Sequence, residues 1–174
     1  MQKEEMNMFK LEMFFDYQWP YCLKGYDQLV EFLKCKPEYE MTWHPCEIGL
    51  LHPNYKEAEY GDMCIQGMFF AIDNGIDIWK YHKKLYSLVH EDDINVNNMD
   101  ILLKALDSLL DTIALRKALE DGVYRNKLKE ANKFAFDKTG IHVVPTYRAD
   151  GGFLQDRQEF FNMGFSDTAY NSTK

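Results

Sequence analysis

The sequence predicts an α/β protein whose mixed sheet carries an inserted helical subdomain. Three observations lead to this fold class. An alternating apolar pattern near the start predicts a strand, a helical pattern follows it directly, and consecutive helical patterns occupy about residues 57–138 before the chain returns to strand. Residues 1–174 fit a single domain, and a content of 46% hydrophobic residues supplies its core.

The first strand and the first helix are recognised by a change of period. In residues 8–15, MFKLEMFF, every second side chain from Phe9 to Phe15 is apolar, which is typical of a strand. From Cys22 to Leu33 the apolar side chains recur at helical spacing instead. Pro20 suits the first turn of a helix, where its missing N–H leaves no hydrogen bond unmade. The stretch WPYC therefore lies at a helix N-terminus.

The remaining elements follow in order. Residues 40–44, EMTWH, predict a second short strand that ends at Pro45. Helical patterns come next, at residues 63–75, 76–90, 98–110, 112–121 and 124–138. HVVPTYRA, residues 142–149, predicts a strand, and Asp150-Gly151 is a hairpin signal before a returning strand in GGFLQ. The polar tail FSDTAYNSTK predicts a frayed end.

Composition and charge exclude several classes of partner. The formal net charge is −8 and the isoelectric point is about 5.1, whereas binding to nucleic acid needs clustered Lys and Arg. No run of 18 apolar residues predicts a membrane span, and the N-terminal residues MQKEEMNMFK lack the apolar core of a signal peptide. We therefore expect a cytoplasmic protein with neither nucleic-acid nor membrane partners.

The cysteines and histidines predict neither a disulfide framework nor a metal site. The four cysteines, Cys22, Cys35, Cys46 and Cys64, form no C-x-x-C pair. In a reducing compartment the default expectation is four free thiols, most of them buried as small apolar groups. The five histidines have no metal-binding spacing with one another or with the cysteines, so we expect no metal.

Two motifs resemble those of DsbA-like thioredoxin-fold proteins. FFDYQWPYCLKG, residues 14–25, is similar to D-x-x-C-P-W-C of FrnE-type oxidoreductases. It is also similar to D-x-x-S-P-Y of kappa-class glutathione transferases and 2-hydroxychromene-2-carboxylate isomerases. GIHVVPTY, residues 140–147, resembles the G-V-x-x-V-P-T segment of the same family. The resemblance covers most of residues 8–155. It implies a thioredoxin-like fold with inserted helices, a cis bond before Pro145, and Trp19 in the position of the nucleophile.

The replacement of the nucleophile by Trp19 limits the thiol reactions that this motif could carry out. Disulfide exchange needs an attacking thiolate and a second cysteine to resolve the mixed disulfide, and Trp19 cannot attack. Cys22, in the resolving position, has two interpretations. It is either a small apolar residue on the buried face of the first helix or a catalytic monothiol at the helix terminus. Cys46, which follows the second strand, is the one cysteine that could approach it.

Three functions remain open at this point. The first is a DsbA-family, oxidoreductase-like protein without a working C-x-x-C, which acts through Cys22 or binds a small thiol. The second, implied by the resemblance, is a glutathione-dependent transferase or isomerase in which Tyr21 could donate to a thiolate. The third is a non-catalytic module that binds a peptide or small molecule. The expected binding residues are Trp19, Pro20, Tyr21, Val144 and Pro145.

Overall fold

The computed structural model describes residues 8–162, and within them a four-stranded mixed sheet is joined to a set of helices. The strands are β1 (Phe9–Phe15), β2 (Tyr39–Pro45), β3 (Thr146–Ala149) and β4 (Gln155–Asp156). The α-helices are α1 (Pro20–Cys35), α2 (Met63–Asp73), α3 (Ile78–His90), α4 (Met99–Leu106), α5 (Thr112–Glu120) and α6 (Arg125–Lys133). A 3-10 turn (Ile48–Leu51) follows β2, and a π-helical segment (Phe134–Lys138) continues α6.

The sheet has the strand order β2-β1-β3-β4, with β1 in the interior. β2 runs parallel to β1 after the crossover through α1, whereas β3 is antiparallel to β1 and β4 is antiparallel to β3. The alternating side chains Leu11, Met13 and Phe15 are fully buried on one face of β1. Phe15 packs edge-on against His82 of α3, with ring centroids 5.4 Å apart. The predicted alternation thus marks the core face of the sheet.

The opposite face of β1 carries an ion pair between neighbouring strands. Glu12 accepts a hydrogen bond from Arg148 Nη2 of β3 at 2.8 Å, and His44 Nε2 of β2 lies 2.9 Å from its carboxylate. The hydrogen bond from Arg148 is the largest of the interactions that lower the pKa of Glu12, despite its partial burial. Its charge is therefore compensated where it lies, between the two neighbouring strands of the sheet.

Gly25 allows α1 to approach the loop that precedes β3. A Cβ atom at this position would come within 2.6 Å of Pro145 Cγ and would also collide with the hydroxyl of Tyr147. Real Cβ atoms essentially never make such contacts. Only glycine fits here, and the second turn of α1 is therefore packed directly on Pro145. The Val144–Pro145 peptide bond is cis.

Several element boundaries differ from the sequence-based ones. The helix predicted over residues 98–110 ends at Leu106, whose carbonyl accepts the N–H groups of Leu109 and Leu110 in a closing turn. The strand predicted from residue 142 begins only at Thr146, after a proline that has no N–H for the ladder. The returning strand is reduced to Gln155–Asp156, and Asp150 and Gly151, both at positive φ, form a tight turn before it in which the N–H of Gly152 donates to the carbonyl of Ala149. The tail FSDTAYNSTK lies outside the described residues.

The five helices α2 to α6 lie between β2 and β3 in the chain, which is where the helical patterns were predicted. None of the helices within residues 8–162 has the length and apolar character that crossing a bilayer requires.

Candidate functional site

The candidate site lies at the N-terminus of α1. Trp19 is the N-cap residue, and its side chain caps no backbone N–H group. Its own N–H donates to the carbonyl of Asp16, and the N–H of Cys22 donates to the carbonyl of Trp19 at 2.9 Å. This tight turn leads from β1 into the helix and leaves the indole half-buried. The indole lies nearly parallel to the ring of His52, with ring centroids 5.9 Å apart and an angle of 20° between the planes.

Beside this aromatic pair is a cavity of about 410 Å³, which we name the Trp19 pocket. Its lining combines the aromatic pair with polar and charged side chains from the start of α2 and from the loop after β2. The residues that matter most for its chemistry are Asp16, Gln18, Trp19, His52, Lys56 and Asp62. The size is within the range of small-molecule sites, and an apolar wall with a few convergent polar groups is typical of them.

Two buried carboxyl groups border the pocket, and both are held by hydrogen bonds. Asp16 is only 6% exposed, and its oxygens accept the backbone N–H groups of Gln18 at 2.9 Å and of Ile48 at 3.0 Å. Asp62 is the N-cap of α2 and accepts from the N–H of Ile65. Gln18 Nε2 donates to the other oxygen of Asp62 at 2.9 Å and so links the two turns.

The carboxyl groups are difficult to ionise in this environment. Burial, reinforced by the nearby Asp62, raises the pKa of Asp16 to about 7. Burial also raises the pKa of Asp62, against the opposing effect of its hydrogen bonds. A third acid, Glu47, has its pKa raised by burial as well, while the side-chain amide of Asn132 opposes that effect. Within residues 8–162 no Lys, Arg or His forms an ion pair with any of the three.

The predicted catalytic residue Cys22 is fully buried under the start of α1. Its Sγ accepts the N–H of Asp16 at 3.4 Å, and burial raises its pKa well above that of a free thiol. Cys46 is also buried and has a raised pKa, and the two cysteines are free rather than bonded to each other. A buried, neutral thiol is inert, so this geometry agrees with the interpretation of Cys22 as a small core residue.

The predicted binding residues do not all line the Trp19 pocket. Trp19 lines the Trp19 pocket, but Pro20, Tyr21, Val144 and Pro145 are absent from its lining. Pro20 and Tyr21 are exposed on the first turn of α1, with Tyr21 58% exposed. Val144 and Pro145 are buried, and Pro145 packs on Gly25. The pocket is thus bounded by the loop after β2 and not by the loop before β3.

Sequence reasoning missed the partners of Trp19 in this pocket. His52 and Lys56 lie in a loop without periodicity, and nothing local indicates that they approach α1. Asp62 carries a local signal, since it precedes the apolar run MCIQGMFF in the manner of a helix N-cap. That signal predicts a helix start and says nothing of a pocket. Asp16 was recognised only as part of a motif.

Comparison of the sequence with known proteins found a distant relative. No family model matches the chain. The uncharacterized protein YwbO of Bacillus subtilis is 23% identical over 171 residues, an alignment that covers 79% of this chain and 84% of that protein.

Solved structures of DsbA proteins superimpose over nearly the whole chain. A probable DsbA oxidoreductase from Streptomyces coelicolor has a TM-score of 0.71 and 14% identity, covering 92% of this chain and 90% of that one. DsbA from Xylella fastidiosa has a TM-score of 0.68 at 14% identity, with 97% and 88% covered. DsbA from Pseudomonas aeruginosa has a TM-score of 0.65 at 11% identity, with 99% and 91% covered. The chain therefore has the DsbA-like thioredoxin fold.

Proposed function

We propose that this DsbA-fold protein does not exchange disulfides and instead binds a small molecule in the Trp19 pocket. One observation carries the proposal. The residue at the N-cap of α1, where the family resemblance puts an attacking cysteine, is a tryptophan that forms the wall of a cavity. An indole has no ionisable group and cannot attack a disulfide, but its ring offers a large apolar surface to a ligand.

The remaining thiols do not supply the missing chemistry. Cys22, Cys46 and Cys64 are buried, and burial raises the pKa of each thiol, whereas exchange needs an accessible thiolate. Cys35 is exposed but lies at the other end of α1, about 24 Å along the helix axis from Trp19. A single-thiol mechanism at the helix N-terminus therefore has no candidate nucleophile within residues 8–162.

Glutathione-dependent chemistry is the second candidate, and one observation favours it. Tyr21 is exposed on the first turn of α1, where its hydroxyl is free to meet a bound thiol. The acidic lining of the Trp19 pocket opposes this candidate, because glutathione is a net anion and Asp16 or Asp62 would repel it when ionised. A glutathione site would therefore have to use the Tyr21 side of the helix.

Two measurements test the proposal together. Reduction of insulin by dithiothreitol should proceed at the uncatalysed rate in the presence of this protein, with Pseudomonas aeruginosa DsbA as the active control. Calorimetric titration with small phenyl compounds should give saturable, one-site binding that Trp19→Ala abolishes. Trp79→Ala is the matched control, because Trp79 is also half-buried but lies on α3 outside the pocket. Catalysed insulin reduction, or binding that is indifferent to Trp19, contradicts the proposal.

The glutathione alternative has its own readout. Saturable binding of glutathione that is weakened by Tyr21→Phe and unaffected by Trp19→Ala would favour transferase or isomerase chemistry over the Trp19 pocket. We expect no such binding.

A further inference from the structure

The Trp19 pocket has an imbalance of charge that bears on the kind of ligand it takes. Asp16 and Asp62 both border it, both are almost fully buried, and neither is paired with a cation among the described residues. Buried carboxyl groups are normally paired or neutralised, since an isolated charge out of water is costly. A cation delivered by a ligand would supply the missing partner.

We infer that the Trp19 pocket selects small aromatic cations, with the ammonium group against Asp16 and Asp62 and the ring against Trp19. This inference rests on the proposed function, because it names the ligand class of the same pocket. It concerns equilibrium binding alone and includes no chemical step.

The aromatic wall is the first argument for this class. Trp19 presents a half-buried indole that lies nearly parallel to the imidazole of His52, and both rings contribute aromatic surface to the cavity. A planar apolar ligand gains most from such a surface. Indole is also the aromatic side chain with the strongest attraction for a cation placed over its face. The wall therefore suits both the ring and the charge of an aromatic amine.

The polar floor is the second argument. Each carboxyl oxygen of Asp16 accepts one backbone N–H, whereas Asp62 accepts the N–H of Ile65 and the side-chain amide of Gln18 and also interacts with the N–H of Cys64. An ionised carboxylate has about four acceptor positions, so both groups keep capacity for the three donors of an ammonium group. Gln18 is also fixed, since its amide nitrogen donates to Asp62 and its oxygen accepts from Asn97 at 3.2 Å.

Lys56 is the feature that would favour the opposite class. Among the described residues that line the pocket it is the only Lys or Arg, and an anionic ligand could pair with it. Its side chain is exposed, however, whereas the two carboxyl groups are buried. Charges interact more strongly in the lower dielectric of a buried site than in water, so an ionised Asp16 or Asp62 acts on a bound ligand more strongly than Lys56 does. The net charge of −8 attracts cations as well.

The test compares three probes that share one skeleton: 2-phenylethylamine, 2-phenylethanol and 3-phenylpropionate. Calorimetric titrations at pH 8 should give the amine an affinity about tenfold above that of the alcohol, with the propionate weakest. Asp62→Asn should remove that advantage of the amine over the alcohol. Asn caps a helix as well as Asp does, so the start of α2 is retained. Glu59→Gln, the same change of charge at an exposed residue outside the pocket, is the control.

The outcomes separate the inference from the proposed function. If the alcohol or the propionate binds best and Trp19→Ala abolishes that binding, the pocket is a ligand site but its selectivity is not cationic. If Asp62→Asn and Glu59→Gln weaken the amine equally, the preference reflects bulk charge and the inference is wrong. If the amine does not bind saturably at millimolar concentration, the inference is wrong. If no probe responds to Trp19→Ala, the proposed function fails with it.

Discussion

At the scale of single residues, Asp16 holds together two loops and also borders the Trp19 pocket. Its two oxygens accept N–H groups from the loop after β1 and from the turn after β2, so the carboxyl fixes the geometry of the site. The same burial that makes these hydrogen bonds effective raises its pKa from the ordinary 3.8 to about 7. Near neutral pH this residue therefore changes charge.

The variant Asp16→Asn should gain stability relative to the wild type as the pH rises from 4 to 8. Because the pKa of Asp16 is raised in the fold, its contribution is fully favourable below pH 3.8 and is lost as the pH rises through about 7. Asparagine cannot ionise and avoids that loss, which amounts to at most roughly 4 kcal/mol. Urea unfolding at pH 4, 6 and 8 measures the effect. Asp92→Asn, at an exposed position, is the control, and equal pH profiles for all three proteins would contradict the prediction.

The sequence was informative about Trp19 and uninformative about its surroundings for a physical reason. Trp19 is recognised because it interrupts a short motif whose other members, Asp16, Pro20 and Cys22, stand at fixed spacing. His52 and Asp62 reach the pocket only because β2 pairs with β1 and carries its following loop to the start of α1. Such proximity is a property of the fold, and no local pattern encodes it.

At the scale of elements, strong periodicity predicted the structure better than composition did. β1 and α1 were predicted from their alternating and helical patterns and agree with the structure to within about two residues. The strands at the other end of the chain were predicted too long. HVVP contains two β-branched valines, but the strand begins only at Thr146, and Pro145 packs on Gly25 instead of joining the strand. Tertiary packing overrode local propensity in that segment.

The N-terminus of α1 should recover thiol chemistry in the variant Trp19→Cys. The new cysteine would be the N-cap residue, where unpaired N–H groups and the helix dipole lower the pKa of a thiol. Cys22 follows one helical turn later, with its N–H already bonded to the carbonyl of residue 19. Mild oxidation should therefore remove two of the five thiols of the variant, and peptide mapping should place the disulfide between residues 19 and 22.

Loss of the indole will weaken the fold, by less than the roughly 3–5 kcal/mol of a fully buried tryptophan, since Trp19 is only half-buried. Circular dichroism must therefore confirm that the variant is folded. Trp79→Cys introduces a half-buried cysteine on α3 and should keep all its thiols under the same oxidant. A folded Trp19→Cys protein that also keeps every thiol would mean that this loop does not correspond to a thioredoxin-type active site.

At the scale of the whole molecule, buried acids and a buried histidine have opposite effects on how the stability of the fold depends on pH. Asp16, Asp62 and Glu47 all have raised pKa values and favour the fold when protonated. His82 has the reverse effect. It is fully buried on α3 against Trp43, with ring centroids 4.2 Å apart, and its Nδ1 shares a hydrogen bond with the hydroxyl of Tyr17 at 2.8 Å. The fold is therefore most stable where the neutral forms of both kinds of group coexist.

The variant His82→Asn should lose less stability on acidification than the wild type. Burial lowers the pKa of His82 from 6.5 to about 3, so the unfolded chain takes up a proton below pH 6.5 and the fold does not until about pH 3. The stability from neutral His82 is complete above pH 6.5, and about 2 kcal/mol of it is lost by pH 5. Urea unfolding at pH 7, 6 and 5 should give a flatter profile for the variant, even though it is less stable throughout.

His142→Asn, at an exposed histidine, should keep the wild-type profile. A His82→Asn profile as steep as that of the wild type would mean that His82 takes up its proton as readily in the fold as in the unfolded chain, and would contradict the prediction.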